Sequence, residues 1–323
     1  MHTIFVAPST PIDTLGKAFA LLPEEQEETV CIHLAPGIYR EKLTLHRSHT
    51  IIEGSGAEQT KVVFGDAATE IMPDGMKCGT FRTATLMIDA PYVTLRNLTV
   101  ENDAAPRETA GQAIALYVDG DHFLAEHCAL LGHQDTLFTA PLPLKELQKN
   151  GFVGPKQFAP RTPQRQVYRD CLIAGDIDFI FGGAAAWFDH CEIRSVDGRK
   201  LRSAPYESYI SAPSTPAGQR FGYVFYHCRL TGDGIPDDSV YLGRPWRNDA
   251  KAVYISCEMG SHIKASGFDD WNKPEAHATM YFAEFGSFSK GAEGLRADYV
   301  HLLTADEAAA YTLEQFEQHA LDA

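Results

Sequence analysis

Short alternations of apolar and polar residues run through most of this chain. Met1–Val6, Val30–Leu34, Leu43–Leu45, Thr50–Ile52, Lys61–Phe64 and Thr85–Ile88 each span a few residues, with the two-residue period of half-buried strands. One early segment breaks that period. Ile12, Leu15, Phe19 and Leu22 recur at helical spacing, and Thr10-Pro11 before them reads as an N-cap followed by proline at the first helical position. The expectation is a short helix that covers the open end of a strand-built body. Near the other end, Thr304-Ala-Asp-Glu307 has the capping-box pattern. It predicts a helix running to about Ala320 and packing on the side or end of that body.

Between these helices the chain repeats itself. Val93–Val100, Phe123–Leu130, Gln166–Ile173, Ala186–Ile193, Tyr223–Leu230 and Ala252–Met259 share one plan. Each reads as a short strand with a polar residue, then Cys (Leu98 in the first), then an apolar residue two positions on. The marker positions 98, 128, 171, 191, 228 and 257 are 30, 43, 20, 37 and 29 residues apart. A constant core with variable spacing predicts the rungs of a parallel β-helix joined by loops of unequal length. Five cysteines would then stack along one inner wall as small buried groups. Turn residues come after the strands, as in Asp119-Gly120-Asp121, Asp197-Gly198 and Gly232-Asp233-Gly234. The stretch 141–166 is an insertion between two rungs. It carries five Lys/Arg against one Glu, which suits either a solvated loop or a wall that attracts an anionic ligand.

With 323 residues, two globular domains would be the ordinary expectation. No linker or low-complexity tract divides the chain, and a solenoid grows without a limit on core size. One domain over 1–323 is therefore expected, as a monomer. The formal net charge of −15 argues against nucleic acid as a partner. No basic helix or long apolar run points to a membrane. The start lacks a basic segment followed by an apolar one, so the chain reads as cytoplasmic as it stands, or secreted with its signal already removed. Seven cysteines without any C-x-x-C spacing suit a reducing compartment better than a zinc or disulfide framework.

The candidate chemistry lies in Gly175-Asp-Ile-Asp-Phe-Ile-Phe-Gly182, which sets Asp178 at the head of an aromatic run. Asp178 lies seven residues after Cys171, and Asp135 lies seven after Cys128; the corresponding positions of the other rungs hold Ala105, Gly198, Ile235 and Lys264. On neighbouring rungs, about 4.8 Å apart, the two aspartates would project from one face. Two such carboxylates against Phe138, Phe179 and Phe181 should split, one pKa rising and the other staying low, as acid and nucleophile or base. Gln134, and Gln112 one rung earlier, offer amides to a developing oxyanion. Arg244 offers a bidentate partner for an ionised aspartate, and Trp246 a platform for a sugar face. Neither a G-x-S-x-G elbow nor an H-E-x-x-H metal motif occurs.

At these residues the sequence resembles the pectin methylesterases. The resemblance rests on Gly37-Ile-Tyr39-Arg-Glu41, Thr80–Thr85, Gly111–Leu116, Gln134-Asp-Thr-Leu137, Asp178-Phe-Ile-Phe-Gly182 and Leu242-Gly-Arg-Pro-Trp246, in the family's order. It implies an all-β fold, a right-handed parallel β-helix, and hydrolysis of galacturonate methyl esters in pectin or oligogalacturonides to methanol and free carboxylate. It also implies roles: Asp178 as nucleophile, Asp135 as general acid and then base, Gln112 and Gln134 as oxyanion hole, and Arg244 as the residue positioning Asp178. Phe81, Phe138, Phe181, Trp246 and Trp271 match cleft aromatics, and no metal or organic cofactor is implied. Two departures stand out: the long 141–166 segment, and Phe268 where the family has the first Trp of a Gly-Trp-x-x-Trp segment. The alternatives are another β-helix enzyme (thioesterase, pectate lyase or polygalacturonase) and a non-catalytic carbohydrate-binding solenoid.

Overall fold

The computed structural model describes residues 2–25, 28–105, 107–198 and 206–322. Met1, at the start of the first expected strand, lies outside them. Three sheets, all parallel, run the length of the molecule, with eleven, seven and eight strands. Their strand orders step from each rung to the next, which makes a parallel β-helix. Along the eleven-stranded sheet the order runs from His2–Val6 through Phe123–Glu126, Arg165–Arg169 and Ala185–Asp189 to Val300–Leu302.

The repeats are not single strands. Each breaks at the polar residue before the cysteine phase. Phe123–Glu126 belongs to one sheet and Ala129–Leu131 to another, with His127 between them at φ 52°. Asn97, Asp170, His190, His227 and Ser256 hold the same left-handed conformation at the same place. Asn, Asp and His tolerate that region better than most residues, and one such residue turns the chain from sheet to sheet. The marker residue then points inward. Cys171, Cys191, Cys228 and Cys257 are buried, and their thiols donate to the carbonyls of Ala125, Tyr168, Phe188 and Phe225 on the preceding rung. All seven cysteines are free and buried.

Rung stacking also lines up aromatic rings inside the coil. Tyr168, Phe188, Phe225 and Tyr254 are register partners and stack with centroids 4.9, 4.7 and 4.3 Å apart, close to the rung spacing itself. On the outer face of the same sheet, Arg96, Glu126, Arg169 and Asp189 pair in alternating sign from rung to rung. A one-residue slip would bury these charges and expose the rings, so both ladders fix the register.

The terminal helices cover apolar surface, with different boundaries from those expected. The first is Leu15–Ala20, capped by Thr14 rather than Thr10. The Thr10 hydroxyl instead donates to the carbonyls of Ala7 and Ile12 in a turn. The reason lies outside the segment: the Glu41 carboxylate accepts from the N–H groups of Leu15 and Gly16, which anchors a negative charge at the helix start. Leu15 and Ala18 join the main core, closing the first rung. The Thr304 capping box forms, but that helix is only Ala305–Ala308. A second cap, Thr312, starts Leu313–His319, whose Phe316 packs with Trp187 and Phe221 on the outside of the coil. Among the described residues, no helix is long and apolar enough to cross a membrane.

Candidate active site

The site lies on the seven-stranded sheet. Leu137–Thr139 pairs with Ile177–Gly182 so that Phe138 faces Phe181 and Thr139 faces Gly182. Counting back two residues on each strand sets Asp135 beside Asp178, and the Asp135 N–H donates to the carbonyl of Ile177 at 3.0 Å. The two aspartates are on consecutive coils, as their shared phase predicts, and the insertion loops out between them.

Local irregularity aims both side chains. The register shifts between Ile177 and Ile180, across Asp178 and Phe179, and such irregularities re-aim side chains. Asp178 has φ 50° and Asp135 has φ 67°. Left-handed backbone at a non-glycine residue costs on the order of 1–3 kcal/mol and is held in place by its surroundings. Here the flanking glycines permit the hold. A Cβ on Gly175 would meet the His133 carbonyl oxygen of the preceding coil at 2.6 Å, and one on Gly182 would meet the Thr139 carbonyl oxygen at 2.0 Å. Only glycine at both ends lets the Asp178 coil sit this close to its neighbour.

Both carboxyls are buried, Asp135 at 7% and Asp178 at 8% exposure. Arg244 comes directly after the strand Val240–Gly243, two coils beyond Asp178, and reaches back over Ser208–Pro213. Its Nε donates to Asp178 Oδ1 at 2.8 Å and its Nη2 to Oδ2 at 2.7 Å. The guanidinium is sandwiched between the rings of Tyr209 and Trp271, at 3.7 and 3.8 Å. Burial pushes both aspartates up from the ordinary carboxylate range. For Asp178 the two bonds and the charge of Arg244 oppose that rise. For Asp135 burial is joined by repulsion from Asp178, and its pKa lies well above the ordinary value. The order, with Asp135 the weaker acid, is the expected one, but Asp178 does not stay low, because burial lifts it as well.

The cleft above these groups has a volume of about 410 Å³. Gln112, Gln134, Phe81, Phe181, Trp246 and Trp271 all line it, as expected. Phe138 does not. It is fully buried and supports Phe81 and Phe181 from beneath, 5.0 and 4.8 Å between centroids. Phe179 turns the other way, into the main core. Phe268 is also a core residue, stacked on Phe282 at 4.4 Å, so its departure from the resembled pattern does not alter the cleft surface.

Several lining or supporting residues carry no signal in the sequence pattern. Phe152, from the insertion, meets Phe81 and Trp246 edge-on at 5.8 and 6.3 Å. Lys273 lines the cleft and lies over the Trp271 ring at 4.4 Å. Tyr209 supports Arg244. Asp176 is buried, and its pKa is pushed up to about 6, chiefly by desolvation. Of the insertion's cations, Lys156 pairs with Asp89 and Asp119, and Arg165 with Asp121. Arg161 donates to four carbonyls of its own loop. The insertion is thus a wall of the cleft, with much of its positive charge already committed.

A carboxylate held by an arginine, a second carboxyl one coil away and two amides lining the same cleft suit attack on an ester carbonyl. The family model for pectinesterases matches residues 4–142 and 161–320. The chain belongs to the pectinesterase family. The unmatched segment, 143–160, falls within the insertion. Pectinesterase QRT1 of Arabidopsis thaliana is 30% identical over 310 residues, covering 94% of this chain and 73% of that protein. Probable pectinesterase/pectinesterase inhibitor 23 of the same plant is also 30% identical, over 94% of this chain and 50% of its own length. The chain spans about half the length of several such relatives. Among solved structures, the pectin methylesterase PemA of Erwinia chrysanthemi superposes with a TM-score of 0.80 at 26% identity, covering 97% of this chain and 96% of that one. A pectin methylesterase in complex with hexasaccharide VII gives 0.81 at 26% identity, over 98% and 96%.

Proposed function

We propose that this pectinesterase-family chain hydrolyses methyl esters of galacturonate in homogalacturonan or its oligomers, as one catalytic unit over 1–323 and as a monomer. The observation that carries this reading is the Arg244-held Asp178 one coil from Asp135. Ionised Asp178 attacks the ester carbonyl. The Gln112 and Gln134 amides, which line the same cleft, donate to the oxygen that gains charge without adding a titratable group. Collapse of the tetrahedral intermediate expels methoxide, which leaves as methanol with the proton of Asp135, and the acyl group remains on Asp178 as an anhydride. Asp135, now ionised, takes a proton from water as that water attacks, releasing the free acid and regenerating Asp178. No step calls for a metal ion or organic cofactor.

The aromatic surface of Phe81, Phe152, Phe181, Trp246 and Trp271 supplies apolar faces for sugar rings. That one similar structure holds a hexasaccharide supports an extended carbohydrate ligand here. The test is incubation with methyl-esterified pectin. Methanol and acid should appear in equal amounts, with no unsaturated product and no new reducing ends. Unsaturated ends would favour a lyase, new reducing ends a glycosidase, and binding without any product a non-catalytic solenoid.

A further inference from the structure

At the opposite end of the eleven-stranded sheet from its last rungs, on its outer face, a second group of polar side chains is assembled. Cys31 and His33 are two residues apart on Val30–Leu34, and Glu53 is the register partner of His33 on Thr50–Glu53. Cys31 Sγ lies 3.3 Å from His33 Nε2, and His33 Nδ1 lies 3.1 Å from Glu53 Oε2. This is the only trio of potential metal ligands found among the described residues. We propose that Cys31 and His33 bind a borderline-soft divalent cation of the zinc class, with Glu53 orienting the imidazole.

The geometry favours this reading in three ways. First, zinc–sulfur and zinc–nitrogen bonds of about 2.3 and 2.0–2.1 Å, closing on atoms 3.3 Å apart, subtend about 100° at the ion, near the tetrahedral angle. Second, Glu53 Oε2 lies 3.1 Å from Nδ1, on the far side of the ring from the Nε2 that faces Cys31. A carboxylate behind a ligating histidine is the usual arrangement for holding such a ring. Third, the site is reachable. Entry is from the histidine side: the His33 and Glu53 side chains are 35% and 30% exposed, Cys31 lies beneath them at 4%, and the Phe5 ring stacks on the imidazole at 5.3 Å as a partial roof. The charged neighbour along the row is Arg96, the register partner of Glu53, and it pairs with Glu126.

Cys31 differs from the inner-wall cysteines. The thiols of Cys128, Cys171, Cys191, Cys228 and Cys257 donate to backbone carbonyls, whereas that of Cys31 meets an imidazole nitrogen. Binding releases the Cys31 proton, leaves the thiolate and neutral His33 as ligands, and fills the remaining positions with water. With two protein ligands, affinity is modest and falls as pH drops.

Cobalt(II) titration of the intact protein tests this directly. A thiolate-to-cobalt charge-transfer band should grow to one equivalent and be displaced by zinc. Cys31→Ser should abolish the band, and Glu53→Gln should weaken binding by about 10–100-fold. Zinc should also raise the melting temperature of the wild type but not of His33→Ala, a substitution on a partly exposed side chain that keeps the comparison usable if Cys31→Ser folds poorly. Methanol release should be unchanged in His33→Ala, because the site is on another sheet from the cleft. Absence of the band at millimolar cobalt, or a band that persists in folded Cys31→Ser, overturns the proposal.

Discussion

Asp178 and Asp135 share a left-handed backbone and deep burial, and the Arg244 fork on Asp178 is the main feature that sets them apart. Its two bonds to Asp178 make that carboxyl the easier one to ionise. Two substitutions separate the charge of Arg244 from its geometry. Arg244→Gln removes the charge that opposes the rise in Asp178, so the acid limb of the kcat–pH profile should move to higher pH. Arg244→Lys keeps a charge but loses the fork, so the limb should stay nearer its place while kcat falls by about 10²-fold, the scale of misplacing a reacting group. Identical profiles for both variants would refute this division of roles. Asp176 gives a separate test through stability. Its pKa is raised from 3.8 to about 6 in the folded protein, so the folded state binds the proton more tightly. The resulting stabilisation is full below 3.8 and is lost as pH rises through about 6. At pH 7 an ionised buried Asp176 therefore lowers stability. Asp176→Asn keeps an acceptor for the Ile177 N–H, which now meets Asp176 Oδ1 at 2.7 Å. It should stabilise at pH 7 by up to about 3 kcal/mol and by much less at pH 4. Urea unfolding at the two pH values measures this; equal effects would contradict it.

At the scale of elements, the insertion decides how far the cleft reaches. Leu147, Gln148, Gly151 and Phe152 line it, although the family match skips 143–160. Phe152→Ala removes one edge of the aromatic cluster. It should raise KM on methylated oligomers by roughly tenfold, about 1.4 kcal/mol, and leave kcat nearly unchanged; a fall in kcat at constant KM would mean that the loop acts on the chemistry instead. The same element marks where sequence reading stops. Asp135 and Asp178 are legible because the cysteine phase counts rungs directly. Arg244 is legible from its neighbours Pro245 and Trp246. Phe152 and Tyr209 carry no such phase, one sitting in a segment outside the repeat and the other on an intervening coil. Phe138 is expected in the cleft and lies beneath it, because strand alternation gives a face and not a depth, and two other rings lie above it. Thr10 fails as a cap for another reason: Glu41, 26 residues beyond Leu15, sets where the helix begins. The sheet corners at Asn97 and His127 escape the pattern because a single left-handed residue leaves the apolar alternation intact.

For the whole molecule, the stacked register is the common cause. Inner rings, inner thiols and outer charges all repeat at one rung spacing, and that regularity is what brings Asp135 and Asp178 together. The net charge of −15 acts at this scale too. It should repel a polyanion, so sparsely esterified pectin should be a poorer substrate than highly esterified pectin at low salt, and the gap should narrow as ionic strength rises. Equal rates at low salt would contradict this. The central claim is that the paired coils present Asp178 as the nucleophile. Its most direct test is methanol release from methylated pectin by the wild type and by Asp178→Ala, with folding checked by circular dichroism. A folded Asp178→Ala should lose at least about 10³-fold in kcat; one that keeps most of its activity would contradict the claim.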